Sequence, residues 1–149
     1  GAIQKLPGRR RKHLNRAFFL RPALEFDMKF KLMFLRADLY DAVKAADRMA
    51  RYFDLKCELF GEDKLVKRIT IMDLNDDDLY FIRCGFNVGL PTKDPSGRPL
   101  CFVDISRALG FSELSIEGML RCSWYMTMAA VMDDDRAQKV GLCSVLYNS

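Results

Sequence analysis

The sequence predicts a helix-rich α/β fold, in which an N-terminal helical bundle is followed by a strand–helix–strand unit. Three observations predict it. Apolar residues recur at helical spacing through the first half, glycine and proline crowd between 89 and 99, and two short apolar β-prone runs beyond that point flank another helical stretch.

Pro22 suits a first helical position, and Leu24, Met28, Leu32 and Leu35 then recur until the pattern breaks near Asp38, which gives a first helix over about 22–37. Asp41 caps a second helix, whose apolar positions Ala42, Ala45, Met49, Tyr52 and Phe53 lie on one side before Gly61 ends it. The two helices are expected to pack antiparallel. A shorter helix starts after Asp63 and another after Asp76, where Leu79, Phe81 and Ile82 supply apolar surface and Gly85 the stop. Then Gly89, Pro91, Pro95, Gly97 and Pro99 exclude regular structure and mark a loop between two layers. Leu100 to Ile105 reads as a half-buried strand broken by Asp104. Ser112 or Ser115 caps a long helix through Met119, Leu120, Trp124, Met128 and Val131, which stops at Asp133, Asp134 and Asp135, and Leu142 to Tyr147 is a second strand. Strand, helix, strand implies a right-handed parallel crossover. The expected organisation is a basic, flexible arm over 1–21, a helical region over 22–88 and a sheet portion over 89–149. The chain starts on Gly and ends in a strand with no following turn or partner, so a fragment of a longer protein is expected.

Half of the 149 residues are hydrophobic and 30% are charged, enough for one ordinary core. The longest apolar runs, such as Met126 to Met132, fall far short of the roughly 20 residues needed to cross a bilayer, and no signal peptide opens the chain, so a cytoplasmic protein is expected. The net charge of +4 is uneven: seven of the 24 Lys and Arg residues precede the first acid, Glu25, which leaves 17 basic against 20 acidic residues in the remainder. Arg9, Arg10, Arg11 and Lys12 are the candidates for contact with anionic headgroups; nucleic acid is a weaker expectation for the same arm.

Most catalytic chemistry is excluded by what is missing. Cys101 to Arg107 has the C-x5-R spacing of a phosphatase loop, but the intervening FVDIS lacks glycine and carries an acid. No phosphate-binding glycine motif occurs, and with the one histidine, His13, in the arm a Ser/His/Asp or Cys/His nucleophile pair lacks its base. Five separated cysteines without a CxxC pair read as buried free thiols, with no metal site or disulfide framework. The triplets Asp76–Asp78 and Asp133–Asp135 lack the alternating spacing of a calcium loop and read as helix caps. The expectation is a non-enzymatic protein with no catalytic residue, cofactor or metal. A stripe of Met119, Trp124, Tyr125, Met126 and Met128 serves either a core or an irregular apolar ligand.

Phe34-Leu35-Arg36-Ala37, followed by Tyr40-Asp41 and Lys44-Ala45, resembles the helix-turn-helix signature that opens CRAL-TRIO lipid-binding proteins. Leu90-Pro91, Lys93-Asp94 and Gly97-Arg98-Pro99 resemble that family's KDxxGRP turn into its sheet, and Gln138 and Gly141 stand where they do before its second strand. The blocks keep their order over roughly 28–148. The resemblance implies a carrier of phosphoinositide-like or other small lipids, cytoplasmic and transiently bound at the membrane surface, with no obligate protein partner. It implies ligand contacts at Lys93, Phe102 and Asp104, with Tyr125 and Met128 added from the stripe. Where relatives commonly end the second strand in Asp and a glycine turn, this chain has Tyr147-Asn148, and the gate helix and later floor strands of the family would lie beyond Ser149. The runner-up is a protein-interaction or regulatory module that keeps the fold without lipid.

Overall fold

The computed structural model describes residues 1–109 and 115–148, so the alternative cap Ser112 lies outside the described residues. The chain is helix-rich, 62% helical, with one small mixed sheet. It divides into two compact units, Gly1–Arg68 and Ile69–Ser149. The expected boundary near 88 moves back to 68 because the helix before the sheet packs on the sheet's own core, as described below.

The first unit is all helical. After two 3-10 turns come α1 (Lys12–Leu20), α2 (Ala23–Phe26), α3 (Met28–Ala37) and α4 (Ala42–Phe60). The expected flexible arm is thus corrected: residues 12–20 form a helix whose Leu14 and Ala17 are fully buried. The basic run is compatible with folding because several of its side chains meet acids of α4 and of the turn after it. Arg10 pairs with Asp47 at 3.3 Å, His13 with Asp54 at 2.9 Å, and Arg16 with Glu62. The single helix expected over 22–37 is two, because Asp27 leaves the helix and accepts a hydrogen bond from the Phe30 N–H at 2.9 Å, capping α3. Asp41 caps α4 as expected, accepting from the Val43 and Lys44 N–H groups. Phe30 packs its ring on Tyr52 and Phe53, while Asp38, eight residues on, pairs with Arg48; contacts that run in opposite directions along the two helices make α3 and α4 antiparallel. Phe53, Phe34, Met49 and Leu65 close the core, each at most 4% exposed.

The second unit holds α5 (Asp76–Arg83), β1 (Asn87–Lys93), β2 (Pro99–Asp104), α6 (Ser106–Leu109), α7 (Ile116–Val131), α8 (Asp135–Val140) and β3 (Cys143–Tyr147). Asn75 and Asp78 form a reciprocal capping box at the start of α5, and Gly85 ends it at φ 74°. The loop expected from 89 to 99 is half strand, since β1 runs antiparallel to β2 with Val88 opposite Phe102. Gly89 and Pro91 are tolerated because β1 is an edge strand with an irregular register between Gly89 and Lys93, where a missing N–H costs no ladder bond. β3 pairs parallel with β2, so the expected parallel crossover is present and β2 is central. Ser115 caps α7 by accepting from the Gly118 N–H at 3.0 Å. The acidic run is more than a stop: Asp134 caps a further short helix, α8. Phe81, Phe86 and Cys122 form the core, with Val103, Met119 and Met126 packed against them. Across it Arg121 binds the carboxylate of buried Asp78 at 2.8 and 3.0 Å, joining α7 to α5.

Candidate functional site

Alternation along β2 assigns the two faces of the sheet. Cys101 and Val103 point to the core under α5 and α7, where Cys101 is buried and donates its thiol hydrogen to Asn87. Phe102 therefore points the other way. Its lateral neighbours on that face are Val88 on β1 and Val145 on β3, and its ring stacks on Tyr147 at 6.3 Å and 27°. This face remains open: Val88, Val145 and Tyr147 are 39%, 47% and 48% exposed, and Phe102 is half-buried. Four apolar side chains from three strands thus form a continuous patch, which is a surface rather than an enclosed pocket. The outer edge of β3 carries neither charge nor proline, whereas the β1 edge has Pro91 and Lys93.

The other residues expected at a ligand site have structural partners. Asp104 shares the Phe102 face but is only 7% exposed. Its carboxylate accepts from the Ser106 hydroxyl and N–H and from Arg107 Nε at 3.0 Å, turning β2 into α6. Those bonds, Ser106 first, hold its pKa below the usual carboxylate value. Lys93 sits at the hairpin end of the sheet, its ammonium 2.5 Å from Asp134. That contact, with the Ala137 and Arg136 N–H groups, lowers the Asp134 pKa. Tyr125 and Met128 are half-buried on α7, which packs on the Val103 side, so the sheet separates them from Phe102. Arg9 and Lys12 are exposed in the first unit, while Arg10 is engaged by Asp47 and Asp54.

The motif residues explain local geometry. In the β1–β2 turn Asp94 accepts from the Arg98 N–H and guanidinium at 2.8 and 2.6 Å, and Gly97 takes φ 80°. Buried Gln138 donates to the Val131 and Met132 carbonyls, closing the C-terminal end of α7, and Gly141 ends α8 at φ 83°. At the turn between α3 and α4, Leu39 and Tyr40 both adopt left-handed backbone with exposed side chains. All five cysteines are free thiols; Cys101 and Cys122 are buried, the other three only partly. Burial first, then the Asp78 carboxylate, pushes the Cys122 pKa up to about 12, which makes it an unreactive thiol. Among the described residues no cluster of acids, cysteines and histidine is arranged to hold a metal, and no helix is long and apolar enough to cross a membrane.

One concave feature was not legible from the sequence. Within the first unit a cavity of about 390 Å3 opens between α1, α3 and α4, with Arg11 and Lys31 in its wall. No protein family, curated protein or solved structure was found to match this chain.

Proposed function

We propose that this chain carries the helical and sheet-opening portions of a CRAL-TRIO-type lipid-binding protein, and that the open sheet face forms part of the floor on which a hydrophobic ligand lies. The observation that carries the reading is the patch of Val88, Phe102, Val145 and Tyr147 on one face of a sheet whose other face is packed. The motif residues support it, since Phe34–Ala45 spans a helix-turn-helix and Asp94–Pro99 the turn into the central strand. Sheltering about a dozen methylenes contributes on the order of 10 kcal/mol, so such a ligand stays bound in water and leaves where an apolar phase receives it. No bond is made or broken, and the protein works at a membrane surface as a cytoplasmic carrier of phosphoinositide-like or other small lipids. Phe102 is the ligand-facing residue; Lys93, Asp104, Tyr125 and Met128 support the sheet and helix around it.

Native mass spectrometry with lipid extraction, on this chain and on any longer parent, tests the reading. A stoichiometric lipid that is lost on Phe102→Asp supports it. Purification of both without lipid would overturn it in favour of the protein-interaction module.

A further inference from the structure

Ala42, Ala45 and Ala46 of α4 line the cavity of the first unit, together with Phe18, Phe34 and Met49. At about 390 Å3 the cavity falls within the range of small-ligand sites. An apolar body on the order of ten heavy atoms fits.

The wall is largely apolar, and its polar side chains are Gln4, Arg11, Asn15, Glu25 and Lys31, two of them cationic and one acidic. Arg11 and Lys31 both line the cavity, and the side chain of neither makes a hydrogen bond or ion pair among the described residues. In Arg11 the Nε is buried and has no acceptor, the one such buried side-chain atom among the described residues. Buried donors are nearly always matched, and a donor on a permanent cation is matched best by an anion. Nearby cations show the contrast: Arg10 and Arg16, on the same stretch of chain, each have a carboxylate within the unit. The opposing charge in the wall is Glu25, which is exposed. Two unpaired cations thus face one solvated acid.

We propose that this cavity binds a small anionic amphiphile, a medium-chain carboxylate or an alkyl phosphate, with its head held by Arg11 and Lys31 and its chain against Phe18, Phe34 and Met49. The site lies wholly within residues 1–68 and does not depend on the sheet face or on the lipid reading above. A carboxylate or phosphate oxygen supplies the acceptor that Arg11 Nε lacks, and the alanine stripe leaves room for methylenes.

Isothermal titration calorimetry with octanoate, octyl phosphate, octan-1-ol and inorganic phosphate tests it. Octanoate or octyl phosphate binds at least tenfold more tightly than octan-1-ol, inorganic phosphate alone gives no heat, and the stronger of the two anions identifies the head. Arg11→Met and Lys31→Met each weaken that binding about tenfold, and Ala46→Leu, which fills the space without touching charge, removes it. Arg51→Met, a charge loss away from the cavity, leaves it unchanged. Thermal melts of each variant establish that it is folded, and Arg11→Gln, which keeps the stem of the side chain, substitutes for any Arg11 variant that is not. Equal affinity for octan-1-ol overturns the proposal, as does unaltered binding by both charge variants. Absence of heat with every probe also overturns it, and assigns the Arg11 donor to water.

Discussion

Asp78→Ala tests how the second unit is held together. Asp78 is 1% exposed, accepts from Arg121 Nε at 2.8 and 3.0 Å, and accepts from the Asn75 N–H at 3.0 Å as half of the capping box on α5. Removing the carboxylate leaves the Arg121 guanidinium, whose side chain is 18% exposed, without its counter-charge. Breaking a buried pair by deleting one partner costs about 3 to 5 kcal/mol; partial access of Arg121 to water puts this pair at the lower end, about 3 kcal/mol. Loss of the cap adds about 1 kcal/mol. The total, roughly 4 kcal/mol, is a large part of the stability of a small domain. Trp124, the single tryptophan, lies on α7 within this unit, so its fluorescence during urea unfolding reports the unit directly. With a slope of about 1 kcal/mol per molar urea the midpoint falls by about 4 M, or the unit is already unfolded in water. The double variant Asp78→Ala/Arg121→Met removes the orphaned charge and recovers at least about 2 kcal/mol. A loss under about 1 kcal/mol in the single variant, or a double variant no more stable than the single, would refute the argument.

Two further outcomes follow from the hairpin and the carboxylates. Gly97→Ala forces a side chain onto φ 80° and against the Arg136 guanidinium, and lowers stability by about 1 to 2 kcal/mol, whereas Gly89→Ala, with ordinary backbone and nothing near its Cβ, stays within about 0.5 kcal/mol by thermal melting. Asp38, Asp94, Asp104 and Asp134 all have pKa values below the ordinary 3.8 through hydrogen bonds to basic side chains, a serine hydroxyl and backbone N–H groups. The folded chain therefore resists protonation that the unfolded chain accepts. Their stabilisation is fully present above about pH 4.5 and is lost as pH falls through the lowered values, which a melting series from pH 6 to about 2.5 follows. Asp94→Asn makes that curve shallower.

The parts of the fold that were legible in the sequence are those decided within one turn of chain. Asp41 and Ser115 cap helices because a short polar side chain reaches N–H groups two or three residues on, and Gly61 and Gly85 end helices because they accept positive φ. What was missed depends on distant partners. Residues 12–20 look like a solvated arm until Asp54 and Glu62, 41 and 46 residues further on, hydrogen-bond to His13 and Arg16 beside buried Leu14 and Ala17. β1 looks like a loop because the sequence does not show that Pro91 stands on a sheet edge. Phe102 and Asp104 were expected to act alike, but alternation puts Phe102 on the open face while Asp104 is taken up where the strand ends and Ser106 and Arg107 turn back onto its carboxylate. The cavity was least visible, because an alanine stripe reads as good helix packing until the facing helix is in place.

The two tethers at the hairpin tip, Lys93 to Asp134 and Arg136 to the Ser96 carbonyl, both land at the start of α8. From α8 the chain pivots at Gly141 into β3, which is laddered to β2, and β2 leads back to the same tip. The second unit therefore contains a closed mechanical circuit: tip, helix, edge strand, central strand, tip. The contacts that hold the turn are therefore also contacts of the helix that leads into the strand beside Phe102, and Lys93→Ala and Arg136→Ala each open the ring at the same point.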